Sequence, residues 1–180
     1  MDIYLPVLKF CPLFNEIDEK DISSMLKCLS TINKKYDKNE FIYTAGDRAS
    51  TVGIVLSGSV TVMQEDFWGN RAILTRLHPG DIFAEAFSCA DNDKLPVSVV
   101  AAEKSTIMLA DCKKIITTCS SACVFHTRLI KNLLTILAKK NAILTRKIEH
   151  LTKPTTREKL LSYLSSQAQY SGRSSFKIPF

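Results

Sequence analysis

Between Thr31 and Leu109 apolar and polar residues alternate in short runs: Ile32–Tyr36, Glu40–Thr44, Val52–Ser57, Ser59–Gln64, Arg71–Leu77, Val97–Ala102 and Ser105–Leu109. A period of two predicts β-strands. The runs are separated by Asp37-Lys38-Asn39, Ala45-Gly46-Asp47, Gly58, Trp68-Gly69-Asn70 and Pro79-Gly80-Asp81, all of them turn-forming residues. Many short, evenly spaced strands point to an antiparallel sandwich or barrel. Val52, Ile54 and Leu56 are expected to face one way, as are Val60 and Val62, and so to give the barrel an inside. The alternation breaks at Phe83–Ala90, where small residues surround Glu85. A carboxylate among alanines inside a barrel requires a partner from protein, water or ligand.

On either side the period is helical. Asp18–Leu29 places Ile22, Met25, Leu26 and Leu29 on one face behind a cap at Asp18, and a short helix is expected over Cys112–Thr118. Ser121–Lys153 reads as one long helix with two apolar stripes. The first, Ile130, Leu134, Leu137, Asn141, Leu144, Ile148 and Leu151, advances by alternating steps of four and three, as a coiled-coil seam does. The second, Leu129, Leu133, Ile136 and Ile143, lies beside it. One stripe can pack on its own domain and the other on a second copy, so a parallel homodimer is expected, with Asn141 fixing register against its twin. A single core helix in a monomeric bundle is the alternative, and the strand-rich neighbourhood counts against it. Thr155 and Glu158 have capping-box spacing and open a further helix, faced by Leu160, Leu161 and Leu164 and ended by Gly172; Phe176–Phe180 follows as an extended segment.

Composition changes this picture little: 180 residues with 46% hydrophobic content describe an ordinary globular chain. The net charge of +6 is unevenly placed, with nine Lys or Arg between Arg128 and Lys159 against Glu149 and Glu158. Such a patch suits a polyanion, and equally a solvated helix face. No secretion signal or membrane-spanning run is read, so a cytoplasmic protein is expected, with no membrane partner. The six cysteines, Cys11, Cys28, Cys89, Cys112, Cys119 and Cys123, are accordingly expected to be reduced thiols. Cys119 and Cys123, with His126 close behind, are too few and too loosely spaced for a zinc or iron–sulfur site. No catalytic constellation is present. A metal enzyme of the cupin barrel type needs several histidines in the barrel, and His78 is the only histidine before residue 126.

Four landmarks stand in order: Cys11-Pro12-Leu13-Phe14 before a helix, Tyr43-Thr44-Ala45-Gly46-Asp47, Val55-Leu56-Ser57-Gly58-Ser59-Val60 and Leu77-His78-Pro79-Gly80-Asp81. With them the chain resembles the Crp/Fnr superfamily of bacterial transcription regulators. The resemblance implies an α+β fold: an antiparallel jelly-roll barrel of cyclic-nucleotide-binding type, a long dimerisation helix, and the beginning of a winged-helix domain. It divides the chain into a sensor barrel at 1–118, a dimerisation helix at 119–153 and an incomplete DNA-binding domain at 154–180. The helix-turn-helix that would follow is absent from this sequence, which is read as truncated. DNA would then be the partner through the missing part, with Lys153, Arg157 and Lys159 near its phosphates. A stand-alone ligand-binding or protein-interaction module is the alternative function.

In relatives that bind cyclic AMP, a Gly-Glu pair and a later Arg-Ser or Arg-Thr clamp the ligand, the Glu on the ribose hydroxyl and the Arg on the phosphate. Glu85 matches the Glu, but Ala84 stands for the glycine, and Pro96, Val97 and Ser98 stand where Arg, Ser and Ala would be. The expected effector pocket is therefore Phe83, Ala84, Glu85, Ala86, Pro96, Val97 and Ser98, with no cation opposite a bound phosphate. Cyclic AMP is not expected, and Lys94 is the one nearby cation that could substitute. Haem, used by other members, would draw on His78, His126 or His150, whose positions in a turn and on the long helix do not suit it. No cofactor is expected, and the effector is a small molecule of unknown identity.

Overall fold

The computed structural model describes residues 2–90, 94–117, 124–173 and 175–178. Two compact units divide the chain, Met1–Leu137 and Ala138–Phe180.

The first unit is built on two four-stranded antiparallel sheets. Strands β1 (Ile32–Tyr36), β2 (Phe41–Tyr43), β3 (Thr51–Ser57), β4 (Val60–Glu65), β5 (Arg71–Leu77), β6 (Ile82–Phe83), β7 (Ser98–Ala101) and β8 (Ser105–Asp111) lie in the orders β1-β8-β3-β6 and β2-β7-β4-β5. Seven of these strands coincide with the alternating runs to within two residues at either end. The eighth, β6, is a two-residue pairing of Ile82 and Phe83 with Ile54 and Gly53, too short to carry a period. Two turns share one device: the Thr44 N–H donates to Asp47 Oδ2 and the His78 N–H to Asp81 Oδ2, each at 2.8 Å.

Strand β3 is buried on both faces, and this corrects the expected inside of the barrel. Val52, Ile54 and Leu56 point away from the barrel interior into a helical layer. That layer comprises α1 (Leu5–Phe10), the 3-10 turn Pro12–Phe14, α2 (Glu19–Cys28), α4 (Cys112–Ile116) and the first half of α5 (Val124–Leu151). The interior is lined instead by Tyr36, Val55, Val60, Phe83, Val99, Ala101 and Ile107. Val60 and Val62 do face it, as expected. Alternation places residues on opposite faces but does not say which face is covered by helices. Helix α2 starts as predicted, although the Asp18 side chain makes no cap hydrogen bond.

The thiol expectation fails at one pair. Cys89 and Cys112 are joined as a disulfide across a separation of 23 residues, with Cα atoms 5.9 Å apart. Cys11 and Cys28 are free. Cys119 and Cys123 lie outside the described residues.

The second unit holds the rest of α5 and α6 (Thr156–Ser171). The capping box is present in full, Thr155 accepting from the Glu158 N–H and Glu158 accepting from the Thr155 N–H. Helix α6 buries none of its residues completely, and Leu160 and Leu161, expected on its packed face, are exposed. No helix among the described residues is long and apolar enough to cross a membrane.

Candidate functional site

The candidate pocket begins where β6 ends. Phe83 is buried, and its ring lies where a Cβ on Gly53 would have to go, so the glycine in β3 is what admits it to the barrel. Tyr43 meets Phe83 edge to face with ring centroids 6.4 Å apart, and its hydroxyl hydrogen-bonds Thr51. Burial pushes the Tyr43 phenol above its ordinary pKa, so it stays a neutral hydroxyl at the edge of the barrel interior. Tyr43 was not singled out from sequence. Strand β2 carries no alternation that would mark it, since Ile42 and Tyr43 both pack on the interior cluster while Phe41 is exposed.

Ala84 follows with φ 62° and ψ 3°, a left-handed conformation that L side chains adopt at a cost. This backbone angle explains why glycine suits the position in the pattern the sequence resembles. Glu85 then opens the four-residue helix α3 (Glu85–Ser88), with its side chain buried, while Ala86 is exposed. Phe83 and Ala84 pack in the same interior cluster as Val99, the residue that follows Ser98 in β7.

The second half departs from a phosphate clamp. Pro96 is exposed and offers neither charge nor backbone donor; Val97 is half-buried. Ser98 is buried and structurally engaged, its Oγ accepting the Ala45 N–H at 2.9 Å. Buried Leu95 anchors this segment to the Thr44–Arg48 turn: its carbonyl accepts from the Gly46 N–H and its N–H donates to the Asp47 carbonyl. The same pairing sets Arg48 opposite Lys94 in an isolated antiparallel bridge, both residues exposed. Arg48 is a second cation at this edge that sequence reasoning missed.

The histidines have structural partners or exposed positions. His126 is buried with Nε2 2.8 Å from the Lys114 carbonyl, and His150 Nδ1 lies 2.9 Å from Ser162 Oγ. His78 is exposed in its turn.

The stripes of α5 separate by burial. Leu129, Leu133 and Ile136 join the helical layer of the first unit. Asn132 locks them in place, its amide donating to the carbonyls of Leu13 at 3.0 Å and Asn15 at 2.8 Å, and Arg128 pairs with Glu16. Of the seam residues, Leu134, Asn141, Leu144, Ile148 and Leu151 are exposed, whereas Ile130 and Leu137 are half-buried, Leu137 against the same layer. Ile143 leaves the second stripe: it is exposed and lines a groove of about 290 Å³ with Tyr163 and Tyr170. An adjoining groove of about 430 Å³ is lined by Lys147, Leu151, Lys159 and Leu160 among others. Arg157 is exposed, and Lys153 and Lys159 are half-buried.

Residues 33–121 match the cyclic nucleotide-binding domain family. Over 52 residues the chain is 38% identical to the cAMP-activated global transcriptional regulator Vfr of Pseudomonas aeruginosa, a stretch covering 29% of this chain and 24% of Vfr. The fold superposes on the Thermus thermophilus catabolite activator protein with a TM-score of 0.65 and 22% identity, over 78% of this chain and 63% of that one. It also superposes on the sensor domain of the transcriptional regulator DNR from Pseudomonas aeruginosa, with a TM-score of 0.62 and 19% identity over 86% and 97% of the two chains. The chain thus spans about a quarter of Vfr and under two thirds of the catabolite activator protein. With the jelly roll, the landmark turns and the long helix in place, residues 33–121 form a cyclic nucleotide-binding domain, and the chain is consistent with a sensor domain of the Crp/Fnr type.

Proposed function

We propose that this chain is the sensor and dimerisation part of an effector-responsive transcription regulator that works as a homodimer and does no catalysis. The observation that carries the reading is the division of α5. A cyclic nucleotide-binding barrel holds Leu129, Leu133 and Ile136, while Leu134, Leu144, Ile148 and Leu151 of the same helix stay exposed at heptad spacing. Ile130, Leu137 and Asn141 complete the seam. Relatives named as transcription regulators support the regulatory role. On this reading residues 1–118 sense, 119–153 dimerise and 154–180 begin the DNA-binding part, with Lys153, Arg157 and Lys159 as phosphate contacts that position without specifying sequence.

The effector site is the barrel wall formed by Phe83, Ala84, Glu85, Ala86, Pro96, Val97 and Ser98. Pro96 in place of an arginine disfavours cyclic AMP, because among the described residues it leaves only the exposed Arg48 and Lys94 at the rim, and a desolvated phosphate without a close partner costs several kcal/mol. A less charged small molecule fits better, held by Glu85 and closed over by α3. Its binding would re-pack α5 against its twin, which requires different affinity for the two arrangements. A soluble cytoplasmic dimer follows from the same reading. Sedimentation equilibrium of the purified chain tests it: a dimer at micromolar concentration supports the reading, and a monomer at all accessible concentrations refutes it.

A further inference from the structure

The disulfide occupies a particular place in the fold. Cys89 caps α3, its N–H donating to the Glu85 carbonyl at 3.2 Å, so it ends the same four-residue helix that Glu85 opens. Cys112 is the first residue of α4, and its N–H donates to the Ser50 carbonyl at 3.1 Å. Two residues along α4, the carbonyl of Lys114 meets His126 of α5. A continuous path therefore runs from the pocket helix through the two sulfurs and α4 to the long helix. A helix of four residues has no stability of its own, so what it is fastened to decides how firmly it is held.

We propose that Cys89 and Cys112 are a reversible thiol–disulfide site whose oxidant is a low-molecular-weight disulfide, and that closing it clamps α3 to α4. The order of events follows from burial. Cys112 is wholly buried, whereas Cys89 is only half so and is the sulfur an oxidant can reach. The Cys89 thiolate attacks one sulfur of the oxidant, forming a mixed disulfide and expelling the first small thiolate. The Cys112 thiolate then attacks the Cys89 sulfur and expels the second. The protein loses two electrons and two thiol protons, and the oxidant leaves as two small thiols. A reducing thiol reverses both steps through the same accessible sulfur. The other described cysteines stand aside: Cys11 is buried with its thiol pushed up to about 12, and Cys28 lies exposed on α2 and is free.

The chemistry of the pair rests on its geometry alone. Only its consequence for the effector rests on the reading of α3 as the pocket helix, so the test reads bond state and local opening instead of ligand binding. The full chain is equilibrated in graded ratios of reduced to oxidised glutathione, trapped by alkylation and mapped by mass spectrometry, with hydrogen exchange followed in parallel. The expected result is a Cys89–Cys112 bond that opens and closes across the series, with amides of Glu85–Ser88 exchanging about tenfold or more slowly when it is closed. Cys89→Ser should remove the dependence, and because the change replaces one sulfur by oxygen at a partly buried position on the margin of the core, the variant keeps the packed core. The proposal is overturned by a pair that stays bonded in excess reductant, by one that stays reduced throughout, by a mixed disulfide on Cys89 that never resolves, or by exchange that ignores the bond.

Discussion

Replacing Leu134 and Leu144 together by lysine should convert the proposed dimer to monomers while leaving the fold intact. Both side chains are mostly solvent-exposed in the single chain, at 62% and 56%, as are Ile148 at 60% and Leu151 at 66%. Burying what remains of such a side chain is worth about 1 to 1.5 kcal/mol, roughly half the value for complete burial. The double change removes four such contributions from a symmetric dimer, about 5 kcal/mol, before any repulsion between the new charges. At about 1.4 kcal/mol per factor of ten, the dissociation constant should rise by three to four orders of magnitude. Leu137 is a poorer choice because it also packs on the barrel's helical layer. Sedimentation velocity at micromolar concentration, with circular dichroism to confirm an unchanged helix content, reads the outcome. A folded double variant that remains dimeric with unaltered affinity would mean that the seam is not the interface.

Two further predictions concern single residues. Ala84→Gly should raise stability by about 0.5 to 1 kcal/mol, because glycine adopts a φ of 62° without the penalty alanine carries, and thermal unfolding will show it as a modest rise in Tm. Cys11 should resist alkylation at pH 8 while exposed Cys28 reacts, since with burial pushing its pKa up to about 12 only about one Cys11 thiol in ten thousand is ionised there. The same shift acts on stability. Unfolded Cys11 loses its proton near pH 9 and the folded thiol only near 12, so its contribution is complete below pH 9 and is lost as pH rises through that window, at about 1.4 kcal/mol per pH unit. A denaturation series in which Cys11→Ala has the same alkaline slope as the parent would contradict this.

The strands and the stripe of α5 that packs on the barrel's helical layer, Leu129, Leu133 and Ile136, were legible in the sequence because they follow the periods of an extended chain and of a helix, whereas Ile143, read with that stripe, is exposed. Seven strands emerged from a period of two, and the full capping box at Thr155 emerged from two residues three apart. What escaped depends on tertiary context. Strand β6 exists only because Ile82 and Phe83 find β3, and Phe83 enters the barrel only because Gly53 has no side chain. The burial of Val52, Ile54 and Leu56 under helices could not be told from burial inside the barrel, since both demand apolar residues. Helix α1 was missed, its six residues being too short for a helical period to show. The Cys89–Cys112 pair had no spacing signature, because a disulfide is decided by where two distant segments meet. At the pocket, Glu85 was legible as a carboxylate among small residues. The strained backbone at Ala84 and the approach of Arg48 to Lys94 were not, because both are properties of the folded backbone.

On the proposed function, a barrel of cyclic nucleotide-binding type here serves an effector other than cyclic AMP. Calorimetric titration of the purified chain with cyclic AMP is the test, alongside the variant Pro96→Arg, Val97→Ser, which supplies the missing cation. No binding heat is expected for the parent chain up to about 1 mM, and measurable affinity is expected in the variant, since the arginine supplies a charged partner for the phosphate. Micromolar binding of cyclic AMP by the unaltered chain would contradict it and would assign the phosphate to another cation of this edge.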